Sequence, residues 1–157
     1  MFLILALFAS IAFIIGCVEQ GTEFHDNGSQ DNSASIDLAN ITNITWQWAG
    51  MIGVSSDNMS IVPNKDNYTL ELHPDGTYSI RTDCNSGSGN YATDGNNLTI
   101  EPGMITLAYC GDQSLESQYL SFLWKITSIT IEDGQLLLSM GNNSEKMLFI
   151  NVESVKK

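Results

Sequence analysis

The chain has 157 residues, enough for one ordinary domain and short for two. Six Lys and Arg stand against 18 Asp and Glu, a formal net charge of −12. That balance argues against a nucleic-acid partner or charge-driven docking on anionic lipid, both of which need a basic face. Apolar residues make up 43% of the chain, which argues against wholesale disorder.

Met1 to Gly16 carry no charge, and Phe2 to Ile15 are apolar except for Ser10. About 15 apolar residues fall short of the roughly 20 that a spanning helix needs, but they fit the apolar region of a secretory signal. The run ends Ile14-Ile15-Gly16-Cys17. This resembles the lipobox of prokaryotic lipoproteins, in which the Cys takes a diacylglycerol and becomes the mature N-terminus. One departure is the lack of Lys or Arg before the apolar run; a plain signal or an uncleaved anchor is the alternative. The expectation is a signal peptide over 1–16 and lipidation of Cys17. The membrane is then a partner through the lipid anchor, and the chain lies in the cell envelope, on the outer face of the membrane. Residues 17–44 are rich in Asn, Asp, Ser, Gly and Gln. They read as a flexible polar tether, with His25 solvated in it. The domain is expected over 45–157.

From Trp46 onward the texture is strand and turn. Tyr68, Leu70 and Leu72 alternate with polar residues, Pro74-Asp75-Gly76 signals a turn, and Tyr78 and Ile80 alternate again, which predicts a hairpin. Ser86-Gly87-Ser88-Gly89 reads as a bend or bulge inside the domain. Strands are expected over 97–101, 104–109 and 127–132, then, after Asp133-Gly134, over 135–140 and 146–152. Met147 to Ile150 look covered on both faces. Leu115, Tyr119, Phe122 and Leu123 form one helical stripe, predicting a helix over about 113–124 capped by Asp112.

The order Asp83-Cys84-Asn85, Gly89-Asn90-Tyr91, Asn97-Leu98-Thr99-Ile100, Thr106 to Cys110, and a helix ending Phe122-Leu123 resembles the META domain family of HslJ-like envelope lipoproteins. Trp46, Trp48 and the Gly134 to Leu138 run fit its opening and late strands, so the likeness covers about 45–152. Asp83 departs from the family's usual Gly, and Ala108-Tyr109 from its Met-Ala. The resemblance implies a mainly β fold, an antiparallel lipocalin-like barrel or half-barrel with one packed α-helix. It also implies an envelope location and a link to stress response, with no established reaction and no cofactor. Asn85, Gly89, Tyr91 and Thr106 are the family-motif residues. Cys84 and Cys110 match family positions; with Cys17 lipidated, they are expected to pair as a disulfide in an oxidising compartment, two separate buried thiols being the competing reading.

Site chemistry is sparse. His73 is the only His of the domain and falls on the polar side of a strand end, a poor start for nucleophilic catalysis. Cys84, Cys110 and His73 are at most three metal ligands, so no metal site is expected. Asp83 with Asp112 could hold Ca²⁺, but no EF-hand-like loop accompanies them, and the acids read as a solvated surface. Gly87-Ser88-Gly89 has no Lys nearby for a phosphate. Sequons begin at Asn27, Asn40, Asn43, Asn58, Asn67, Asn97 and Asn142. They predict either N-glycosylation or simply an Asn- and Ser-rich surface. The function expected is therefore a non-enzymatic, lipid-anchored envelope domain with a stress-response or interaction role and an envelope protein partner. The alternative is a small-molecule binder using a lipocalin-like interior; Trp46, Trp48, Trp124, Phe122 and Phe149 are large enough to fill it.

Overall fold

The structure is a computed structural model that describes residues 36–53, 59–141 and 145–152. Its strands are β1 (Trp46–Ile52), β2 (Met59–Ile61), β3 (Thr69–Leu72), β4 (Thr77–Arg81), β5 (Ser86–Asp94), β6 (Asn97–Ile100), β7 (Met104–Ile105), β8 (Ile126–Glu132), β9 (Gln135–Met140) and β10 (Lys146–Asn151). One helix, α1 (Glu116–Leu123), separates β7 from β8. Antiparallel pairing runs β10-β9-β8-β6-β5-β4-β3-β1, and β1 pairs back onto β10, which closes an eight-stranded barrel. Strands β2 and β7 lengthen the edges of β1 and β5. The seam between β6 and β8 is thin, with one residue pair, Asn97 with Ser128.

The pattern of apolar residues explains the closure. Leu70, Leu72, Tyr78, Ile80, Leu98 and Ile100 all point inward and are buried, as two-residue alternation requires. Between β8 and β9, Asp133 and Gly134 both have positive φ, the two-residue turn that suits the strands' twist. The barrel centre is filled by aromatics. Tyr119 of α1 lies 5.4 Å from the Trp48 ring and 5.7 Å from Tyr68, with Phe149 at 6.4 Å. Its hydroxyl donates to the Thr69 carbonyl at 2.9 Å.

Five sequence expectations are corrected. Residues 36–44 belong to the domain rather than to a tether. Ile41 is fully buried, its carbonyl accepts the Trp46 indole N–H at 2.9 Å, and the Ile36 N–H reaches Asn96 Oδ1. Composition misleads there because one deeply buried Ile anchors a polar stretch. The Ser86–Gly89 patch is neither bend nor bulge but the first half of β5, in unbroken register with β4. Its glycines serve close approach: a Cβ on Gly89 would lie 2.6 Å from the Tyr78 hydroxyl, and one on Gly87 2.6 Å from the Met104 carbonyl. The 104–109 strand shrinks to two residues.

The helix starts at Glu116 without a cap from Asp112, because a tertiary partner, Tyr68, and a local one, Ser114, take its first donors. The Leu115 N–H donates to the Tyr68 hydroxyl at 2.7 Å, and the Glu116 N–H to Ser114 Oγ at 3.1 Å. Trp124 follows the last helical residue, at the edge of the buried Tyr119, Leu120 and Leu123 stripe. It is 38% exposed rather than part of the barrel filling.

Candidate functional site

The connection from β4 to β5 carries the densest polar network. Asn85 is buried there, and its carboxamide behaves like a peptide group for a neighbouring loop. Its Oδ1 accepts from the Thr106 hydroxyl and the Ala108 N–H, both at 2.8 Å. Its Nδ2 donates to the Ala108 carbonyl at 2.9 Å and to Glu116 Oε2 at 2.8 Å. Glu116 Oε2 also accepts from the buried Thr82 hydroxyl. Cys84 and Cys110 are disulfide-bonded beside this amide, with Cα atoms 5.5 Å apart. This explains why the 104–109 run is not a full strand: Asn85 takes the Ala108 N–H and carbonyl that a ladder would use.

The other motif residues also hold backbone. Gly89 admits the Tyr78 ring, whose hydroxyl donates to the Glu101 carbonyl at 2.7 Å. The Tyr91 hydroxyl donates to the His73 carbonyl at 2.7 Å, at the turn between β3 and β4. Asn85, Thr106, Cys84 and Cys110 are thus brought together, with Gly89 and Tyr91 further along β5. All of them build the fold.

What the clamp displays is apolar. Met104, Leu107 and Tyr109 are 84%, 87% and 81% exposed, Met104 on β7 and the other two on the loop that follows it, which is fixed at Thr106, Ala108 and Cys110. Reading 104–109 as a strand hid this surface. The signal available was Pro102-Gly103 before the segment and Gly111 after it, which bracket a run too short for a core strand.

A second feature lies where β2, α1 and the β4–β5 connection meet. It is a cleft of about 490 Å³ with Trp48 and Tyr68 at its base and Ile61, Val62 and Leu115 among its walls. Asp83 opens onto it. Its Oδ2 accepts from the Tyr68 hydroxyl and, at 2.5 Å, from Ser114 Oγ; its Oδ1 accepts from Asn67 Nδ2 at 3.1 Å. Desolvation pushes the Asp83 carboxyl upward, but the hydrogen bonds from Ser114, Tyr68 and Asn67 outweigh it and hold it below its ordinary range. Desolvation and the same carboxylate raise the Tyr68 hydroxyl. Asp112 is not joined to Asp83; it accepts from the Tyr109 hydroxyl.

His73 lies half-buried on the open face of the β3–β4 hairpin, with Nε2 2.9 Å from Ser79 Oγ and Nδ1 3.8 Å from Glu71 Oε1. The order Ser, His, acid resembles a hydrolytic triad, but the acid contact is too long for a hydrogen bond. Ser79 sits on β4, whose backbone donors are spent on ladders to β3 and β5, so no pair of N–H groups is aimed at an oxyanion. His73→Ala should therefore cost about 1 kcal/mol or less, the net worth of one partly exposed hydrogen bond, as read by thermal unfolding.

Asn40, Asn43 and Asn97 are exposed, whereas Asn67 is half-buried and spends its amide on Asp83. Cys17, Asn27, Asn58 and Asn142, with the proposed signal peptide, lie outside the described residues.

A family model for the META domain matches residues 39–153. The chain belongs to the META domain family. The match begins near Ile41, consistent with the early domain boundary seen in the packing. Among solved structures, the chain is similar to a DUF4847 family protein from Bacteroides vulgatus at 13% identity and a TM-score of 0.54, covering 70% of this chain and 93% of that one. It is also similar to a protein from Burkholderia xenovorans, solved by NMR, at 23% identity and a TM-score of 0.56, covering 74% and 88%. At such identities both likenesses concern the fold alone. No curated protein matches the sequence.

Proposed function

We propose that this META domain protein is a lipid-anchored, non-enzymatic interaction module of the cell envelope, engaged in stress response and docking on an envelope protein through its 104–109 loop. The observation that carries the reading is the exposure of Met104, Leu107 and Tyr109 on a loop that Asn85 and the disulfide hold in one shape. Burying each such side chain is worth roughly 1.5–3 kcal/mol. A loop already ordered loses little entropy on docking, so most of that gain is kept. The partner surface is apolar and free of strong negative charge, since this chain carries −12. The Ile14-Ile15-Gly16-Cys17 sequence supports the anchor.

The test is a photo-crosslinking residue at Leu107, with one at the exposed Thr99 of β6 as control, in cells before membrane extraction. A discrete adduct at Leu107, absent at Thr99 and lost with Tyr109→Ser, is expected. Equal adducts at both positions, or none at Leu107, would overturn the interaction role. In the same extract the intact mass should show an acylated chain beginning at Cys17; an unmodified chain beginning at Met1 would reject the anchor.

A further inference from the structure

The cleft at Asp83 is separate from the docking loop, since Met104, Leu107 and Tyr109 do not line it. Its volume, about 490 Å³, falls within the range of small-molecule sites, roughly 300–1,000 Å³. The aromatic filling of the barrel centre leaves this rim cleft, rather than a lipocalin-like interior, as the place for a ligand.

The lining chemistry is one-sided. Trp48, Val62, Tyr68 and Leu115 give a base and walls that can cover an apolar body. Asp83 supplies the acidic group, and the described lining residues include no Lys, Arg or His. An anion would meet an uncompensated carboxylate there. Tyr68, Ser114, Asn67 and the Leu115 N–H all stabilise the charged carboxylate, so an incoming ammonium meets an ionised, preorganised anion and shares its oxygens with those donors. The exposed side chains of Gln113 and Gln118 stand at the same cleft as further polar partners. We propose that the cleft binds a small primary amine with an apolar body, its ammonium on the Asp83 carboxylate and its body against Trp48, Val62 and Leu115. Tyr68 and Ser114 act as positioning residues, holding the carboxylate toward the cleft.

The test uses the full chain, ¹⁵N-labelled, and three probes sharing one body: 2-phenylethylamine, 2-phenylethanol and phenylacetate. The readout is the indole N–H signal of Trp48, which lines the cleft; that of Trp46, which does not, controls for diffuse attraction of cations to an acidic protein. The amine should shift Trp48 saturably, leave Trp46 in place and bind about tenfold more tightly than the alcohol, the order of one charge-assisted hydrogen bond. Phenylacetate should not saturate. Asp83→Asn should abolish the preference for the amine over the alcohol. Because Asp83 also holds three side chains, a second variant, Ile61→Lys, places a cation on the exposed cleft wall without touching that network; it should weaken the amine more than the alcohol. No saturable shift with the amine, equal binding of the alcohol or phenylacetate, or an amine preference that survives either variant would overturn the proposal.

Discussion

Trp48→Ala is expected to cost about 3–5 kcal/mol of folding stability, and Trp124→Ala about 1–2 kcal/mol. The two residues are chemically identical, so the contrast isolates position. Trp48 is buried between strands and helix, edge-on to Tyr68 at 5.7 Å and in contact with Tyr119. Its indole N–H donates to the Gly50 carbonyl at 2.9 Å. Truncation would leave a cavity that a closed barrel cannot collapse to fill, and would remove a hydrogen bond besides. Trp124 lies at the margin of the helix stripe and is partly in water already. Since a domain of this size holds only about 5–15 kcal/mol, Trp48→Ala should shift the urea midpoint sharply downward while Trp124→Ala, which loses a partly exposed ring and its bond to Tyr78, moves it clearly less. Equal shifts would mean that the helix does not seat Tyr119 against Trp48 as described.

How much of this was legible in the sequence depended on the kind of force involved. Alternation in 69–72, 77–81 and 97–100 sets which face enters the core, and the run 147–150 is apolar on both faces as a covered strand requires, so those strands and the β-rich architecture could be read directly. Asp133-Gly134 has few options besides its hairpin turn. The resemblance carried by Asn85, Gly89, Tyr91 and Thr106 leads to the family and to a barrel or half-barrel; the β1–β10 pairing is what closes it.

What could not be read were features made by contacts distant in sequence. Ser86 to Asp94 has too few bulky side chains to look like a strand; it is one because β4, β6 and β7 all pair with it and its glycines let Tyr78 and Met104 come close. The helix begins at Glu116 rather than near 113 because Tyr68, 47 residues from Leu115, takes the Leu115 N–H. The Asp83 cleft was invisible for the same reason: its parts come from β1, β2, the β4–β5 connection and α1. In the sequence Asp83 stands out as a departure from the resembled pattern and as a possible Ca²⁺ partner of Asp112, and neither reading places it at a cleft.

The second large effect concerns the bridge and the amide beside it, which stabilise the domain by different routes. Replacing both Cys84 and Cys110 by Ala should cost about 3.5 kcal/mol, the loop-closure entropy for a sequence separation of 26 residues. Asn85→Ala should cost about 2–4 kcal/mol, because it strands the Ala108 N–H and carbonyl and the Thr106 hydroxyl, and leaves Glu116 without an amide partner. The totals overlap, but the mechanisms separate in two measurements. Removing the bridge acts chiefly on the unfolded chain, so the urea m-value should rise as that chain expands, and the Ala108 amide should lose hydrogen-exchange protection only in step with global stability. Removing the amide acts on the folded state: the m-value should stay put, while the Ala108 amide exchanges far faster than global unfolding allows. If the double-Cys variant instead freed the Ala108 amide locally with an unchanged m-value, the bridge would be fastening the loop in the native state. Asn85 could then not hold Thr106 and Ala108 alone, and the apolar display of Leu107 and Tyr109 would depend on the oxidation state of the two cysteines.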